Sequence, residues 1–311
     1  MKLTVALLLL LPLTAACADT GDRSRTEVVT SVYPLTWIAE RVGGEHIDLV
    51  NLSTAGQEPH DLELSVRQTA EVSGADVALF ERDFQPAVDE AIGQAGDIRA
   101  VDVAELIELH EAGEHGSHDG HDDGDHDHEG HDHGGHDHGG LDPHFWQDPT
   151  LMAEVAEKFA AELATQDPEH KAAYEANAKA VVEDLNTLDA EFTRTLKKCQ
   201  TRTVVVSHDA FGYLARRYDL DVVPIAGLSP DAEPSPKQLA AVAKAAREAK
   251  VTTVFSETLA SPAMAETLAD ELGVKTAVLD PLEGLARGAK GDYLSLMRAN
   301  LAALTAANRC A

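Results

Sequence analysis

The sequence is short of basic side chains, aromatics and cysteine. It carries 25 Lys and Arg against 54 Asp and Glu, a formal net charge of −29 with histidine neutral. A surface of that sign repels phosphate backbones and anionic lipid, which excludes nucleic acid as a partner and favours cations. Aromatics are only 5% of residues, but 44% are hydrophobic, so real cores can form and wholesale disorder is excluded. Three cysteines, Cys17, Cys199 and Cys310, are too few for a thiolate metal site. The apolar run Leu3 to Ala16 is far too short to span a bilayer and suits a signal-peptide core instead.

That run follows Lys2 and ends in Leu13-Thr14-Ala15-Ala16-Cys17, which looks like a bacterial lipobox. The reading is a lipoprotein signal peptide over 1–16, with Cys17 lipidated as the first mature residue and a polar tether over 17–26. The alternative is plain secretion with the cysteine discarded. Either way the chain is exported, and on the lipobox reading its only membrane contact is a lipid anchor on the extracytoplasmic face. Cys199 and Cys310 then form an even pair in an oxidising compartment, where a disulfide is expected.

Strand and helix patterns alternate along the body. Strands are expected at Glu27–Val32, Ile47–Leu52 and Val77–Phe80, with helices at Pro34–Val42 and Ser65–Val72. The second half repeats this grammar, with strands at Thr203–Ser207, Leu220–Ile225, Val251–Ser256 and Thr276–Leu279 and helices at Lys237–Ala249 and Pro262–Leu272. Such alternation predicts an α/β fold with mainly parallel sheets flanked by helices. Between the halves, Glu169–Lys198 reads as one helix with Asp167 as N-cap and Pro168 in its first turn. Thirty helical residues reach about 45 Å, a rigid strut between two lobes. The divisions are an N-terminal lobe over 27–166, a linking helix over 167–199 and a C-terminal lobe over 200–311.

Ten of the 15 histidines fall between His110 and His138, among Asp, Glu and Gly. Glu111–Asp142 holds eleven acidic residues and no basic one, which leaves −18 on the rest of the chain. Residues 110–140 cannot build a core and are expected to form a flexible surface loop. It ends in the pairs His126/His128, His131/His133 and His136/His138, and such His-x-His units flanked by carboxylates bind divalent transition metals. That binding is expected to be weak and spread over several sites, because flexible ligands lose entropy on chelation. The bland alternative is a solvating polar insert.

The other five histidines are scattered. His60 lies in Gln57-Glu58-Pro59-His60-Asp61 after a strand, and His144 in Asp142-Pro143-His144-Phe145-Trp146-Gln147-Asp148-Pro149 after the rich run. His208 lies in Ser207-His208-Asp209-Ala210-Phe211-Gly212-Tyr213 at a strand's C-terminal end, where open α/β sheets place ligands. His46 and His170 have no comparable context. Three imidazoles and one carboxylate complete a tetrahedral metal shell. Asp280, in Val278-Leu279-Asp280-Pro281-Leu282, is the candidate carboxylate, with Glu58 or water as alternatives.

These segments, in this order, resemble the zinc/manganese solute-binding proteins of ABC transporters, the ZnuA-like group. Ser31-Val32-Tyr33-Pro34-Leu35 and Tyr174-x-x-Asn177 resemble it too, although Gln147 stands where an apolar residue is more usual. The resemblance implies two α/β lobes bridged by one long rigid helix. It also implies metal held in the cleft by His60, His144, His208 and Asp280, and delivered to a membrane permease with its cytoplasmic ATPase. Manganese members commonly have Glu where this chain has His208, so Zn²⁺ is the expected transported ligand, bound with high affinity. A manganese or iron receptor, or a His-rich zinc buffer or adhesin, are the alternatives. A monomer that is not an enzyme is expected, since no general base or oxyanion motif accompanies the histidines and a fourth protein ligand closes the site to a reactive water.

Overall fold

The computed structural model describes residues 25–113 and 140–311. The signal peptide over 1–16, Cys17 and the six histidines His126, His128, His131, His133, His136 and His138 lie outside the described residues.

Two four-stranded sheets share one topology. The first holds β1 (Thr26–Thr30), β2 (Ile47–Asn51), β3 (Val77–Phe80) and β4 (Arg99–Asp102) in the order β2-β1-β3-β4. The second holds β5 (Thr203–Val206), β6 (Asp221–Pro224), β7 (Thr253–Ser256) and β8 (Lys275–Val278) in the order β6-β5-β7-β8. Every strand pair is parallel. Parallel neighbours need crossovers, and helices supply them. These are α1 (Tyr33–Gly43), α2 (Val66–Gly74) and α3 (Pro86–Gln94) in the first sheet. In the second they are α7 (Gly212–Tyr218), α8 (Pro236–Glu248) and α9 (Ala263–Leu272). The equivalent helices α2 and α8 even start alike, with capping boxes Ser65/Gln68 and Ser235/Gln238 satisfying their first N–H groups.

The expected strands and helices are present, with ends moved by a residue or two. The sequence reading proposed three strands in the first half, and the structure adds β4 beside β3. It also places α4 (Val103–Leu106), α5 (Pro149–Gln166) and α10 (Tyr293–Ala307) outside the crossovers.

The linking helix is shorter than expected. Pro168–His170 forms a 3₁₀ turn and α6 runs over Lys171–Leu196, 26 residues or about 39 Å. Asp167 caps no helix N–H. Its carboxylate instead accepts hydrogen bonds from His170 Nδ1 (2.6 Å) and the Tyr174 hydroxyl (2.7 Å).

The main core lies between the sheets. The α6 residues Tyr174, Ala178, Val181, Leu185, Leu188, Phe192 and Leu196 are buried, and they share one apolar cluster with Trp37, Trp146, Phe159, Phe211 and Tyr293. Helices α5 and α1 pack along α6. Smaller separate cores lie on the other faces of the two sheets, one around Leu52, Phe80 and Val88 and one around Ile225, Val254 and Leu268. The two lobes are therefore joined by common packing as well as by chain. Cys199 and Cys310 form a disulfide that ties the end of α6 to the C-terminus.

Candidate metal centre

Four segments that leave ordered elements converge between the sheets. The loop after β2 brings His60, which sits edge-on to Phe84 at 4.8 Å between ring centres. Gln85 Nε2 anchors that loop by donating to the Pro59 carbonyl (2.9 Å). His144 enters just before α5, packed edge-on against Trp146. His208 follows β5, and Glu283 lies in the turn after β8. All four are buried, and both His144 and His208 have 0% exposure.

The donor atoms meet at one point. His144 Nε2 and His208 Nε2 each lie 3.1 Å from Glu283 Oε1, and His60 Nε2 lies 3.5 Å from it. One ligand atom from each residue falls within 4.8 Å of all the others. A tetrahedron with bonds of about 2.0–2.1 Å has edges of roughly 3.3–3.4 Å, so these three separations suit a zinc-sized ion. Three imidazoles and one carboxylate make a closed four-donor set of the kind zinc prefers.

The electrostatics of the group are mutual. Burial alone would raise Glu283, but His60, His208 and His144 outweigh it and hold the carboxyl well below its usual range. Burial would likewise lower His208 and His144. Glu283 and Glu257 instead hold His208 well above its ordinary value, and hydrogen bonds to Asp142 and Glu283 push His144 up to about 9. For His60 burial wins, and its pKa is lowered. These directions favour a charged pairing of Glu283 with His144 and His208, whose protons a divalent cation would replace.

Asp280, expected as the fourth donor, is not in the group. Its Oδ1 accepts the Leu282 N–H (2.9 Å) and its Oδ2 the Thr258 hydroxyl (2.8 Å). Asn300 holds its backbone on both sides, accepting from the Asp280 N–H and donating to its carbonyl. Leu282 then takes a positive φ of 61°, which turns the chain so that the next residue faces inward. The Pro281 carbonyl accepts from Trp146 Nε1 (2.8 Å) and Gln147 Nε2 (2.5 Å), and the Glu283 carbonyl accepts the first N–H of α1 from Tyr33 (3.1 Å). Asp280 thus shapes the turn, and the carboxylate that meets the three histidines is that of Glu283. The acid at the third position after Asp280 was the available sequence signal. Glu58, the other alternative, accepts the His60 backbone N–H instead (3.2 Å), and burial beside Glu283 pushes its pKa up to about 8.

The remaining histidines among the described residues go elsewhere. His46 and His170 stack on each other, 4.0 Å between ring centres, at the head of α6. His110 stacks on Tyr213 at 4.5 Å, where Glu111 and Leu141 form an antiparallel bridge at the root of the histidine-rich run. Above the cluster the two halves touch. The Gly56 N–H donates to the Leu285 carbonyl (2.7 Å), and a Cβ at Gly56 would lie 2.6 Å from Arg287 Cγ.

Comparison with known proteins agrees with this geometry. The High-affinity zinc uptake system protein ZnuA of Bacillus subtilis (strain 168) is 34% identical over 312 residues, covering 94% of this chain and 92% of that protein. Zinc-binding lipoprotein AdcA of Streptococcus pneumoniae (strain ATCC BAA-255 / R6) is 33% identical over 293 residues, 93% of this chain but 57% of that longer protein. The crystal structure of the Zn(II)-bound ZnuA-like domain of Streptococcus pneumoniae AdcA superposes with a TM-score of 0.73 at 31% identity, covering 91% of this chain and 99% of that one. The profile of the family described as "Zinc-uptake complex component A periplasmic" matches residues 28–307, and the chain belongs to that family, ZnuA.

Proposed function

We propose that this chain is the extracytoplasmic receptor that captures Zn²⁺ and delivers it to the permease of an ABC importer, whose cytoplasmic ATPase drives uptake. The observation that carries this reading is the convergence of three imidazole Nε2 atoms on the Glu283 carboxylate in a buried pocket between the two sheets. His60, His144, His208 and Glu283 are the proposed ligands. Together they fill a tetrahedron with protein donors and leave no position for an activated water, so the site suits capture and release rather than hydrolysis. Zinc enters by displacing protons from His144 and His208, and it leaves when the donors contributed by the two halves separate.

The proposal includes export, a lipid anchor at Cys17 and action as a monomer. Among the described residues no helix is long and apolar enough to cross a membrane. Manganese remains the nearest competitor, but a set of three imidazoles and one carboxylate suits zinc better than the oxygen-rich shells manganese favours. Elemental analysis after equilibration with equimolar zinc and manganese tests the choice. One tightly held zinc per chain is expected, whereas manganese in the tight site would overturn the reading.

A further inference from the structure

The rear faces of two of the clustered histidines are built alike by acids with unrelated sequence contexts. Asp142 Oδ1 accepts the backbone N–H of His144 (3.0 Å) and pairs with its ring Nδ1 (2.7 Å). Glu257 Oε1 accepts the backbone N–H of His208 (3.0 Å) and lies 2.7 Å from its ring Nδ1. In each case one oxygen accepts the backbone N–H and stands against ring Nδ1, as a hydrogen bond at His144 and as a close contact without hydrogen-bond alignment at His208. Asp142 comes two residues before its histidine, and Glu257 comes from the end of β7, 49 residues beyond. Both acids are buried, at 4% and 8% exposure, and neither is among the four atoms that converge. The Tyr213 hydroxyl donates to the Asp142 carbonyl (2.9 Å), which fixes that acid against the second half of the molecule.

A carboxylate at Nδ1 decides which ring nitrogen carries the proton, aims the ring and makes the other nitrogen a stronger donor. It also adds negative charge behind a ligand in a region where water does not screen it. Resting on the reading of His60, His144, His208 and Glu283 as a zinc shell, we propose that Asp142 and Glu257 are positioning residues that set the strength of that shell. They hold His144 and His208 with Nε2 toward Glu283. One acts from each half of the molecule, so the grip on the ion depends on both halves being in place. Neither was a sequence candidate, because Asp142 stands in the His144 segment with no role of its own assigned and nothing in the chain order places Glu257 beside His208.

The test measures zinc affinity by chelator competition for the wild type, D142N, E257Q, D142L and H144A. Asn and Gln preserve shape and an acceptor oxygen but remove the charge. Each amide variant is expected to bind zinc about 10–100-fold more weakly. H144A is expected to lose the tight site. In the zinc-loaded protein, the downfield Nδ1–H resonance of His144 is expected to shift in D142N and vanish in D142L. Wild-type affinity in both D142N and E257Q, alongside loss in H144A, overturns this proposal and leaves the zinc reading standing. Wild-type binding by H144A overturns the zinc reading itself. Weakened binding matched by an equal loss of metal-free thermal stability, with the resonance unshifted, makes the acids purely structural and also overturns the proposal. Should D142L fail to fold, the two amide variants decide the matter.

Discussion

Two regions of this chain offer metal ligands in opposite ways. The run from His126 to His138 packs six histidines close together in sequence, whereas the buried cluster draws four donors from four separate segments, with Glu283 lying 139 residues beyond His144. Density of ligands is a poor guide to strength. Donors lose conformational freedom when they chelate unless folding has already ordered them, as it has those of the cluster. The cluster's donors are also shielded from water, and an outer carboxylate backs both His144 and His208. The sparse set is therefore the proposed tight site.

The sharpest way to break this contrast is to remove a donor. His208→Ala and Glu283→Ala are each expected to weaken zinc binding by more than the roughly 10–100-fold that loss of an outer partner brings. Asp280→Ala, which only loosens the turn, is expected to stay within that range. Calorimetric titration reads all three, and equal losses in Asp280→Ala and Glu283→Ala would return Asp280 to the shell.

Acidity gives the next effect. Burial disfavours charge on His144, but Asp142 and Glu283 more than offset it and push its pKa up to about 9 from 6.5. A group raised on folding lends stability that is full below its unfolded value and is lost as pH climbs through the folded one. Zinc must displace the same proton. The rise in Tm on adding saturating zinc is therefore expected to grow between pH 6.5 and 9. Scanning calorimetry across that window checks it, and a constant rise would contradict the assigned charges.

Removing the other region is expected to do little to the tight site. Joining Gly113 to Gly140 keeps the Glu111–Leu141 bridge and deletes the histidine-rich run. Titration is expected to retain one tight zinc per chain and lose only weaker equivalents. Loss of all binding would make the run the whole function.

The smallest effect on zinc is expected from Cys199→Ser with Cys310→Ser. That bond closes a separation of 111 residues, so its loss lowers stability by about 2–4 kcal/mol in denaturant titration. Zinc affinity is expected to remain within about twofold.

Much of this architecture was readable because its signals are local. Hydrophobic period and breakers placed most of the strands, the helices α8 and α9, and the strut. Other elements were hidden for identifiable reasons. The Asp148-Pro149 pair reads as part of a ligand motif, yet it is also the start of α5, where Asp148 Oδ1 accepts the Thr150 N–H (2.8 Å). The strand β4, Arg99-Ala100-Val101-Asp102, has only two apolar residues between charged ends, too little for a pattern.

Chain order alone determined two repeated α/β halves, an even cysteine pair and three histidines at loops that follow or precede ordered elements. It could not choose between Asp280 and Glu283. That choice rests on a turn held by Trp146, Gln147, Tyr33, Thr258 and Asn300, residues as far as 250 positions away along the chain. Hydrogen bonds over such separations exist only once the halves have packed, so the direction of a side chain three residues past a strand was settled by tertiary contact.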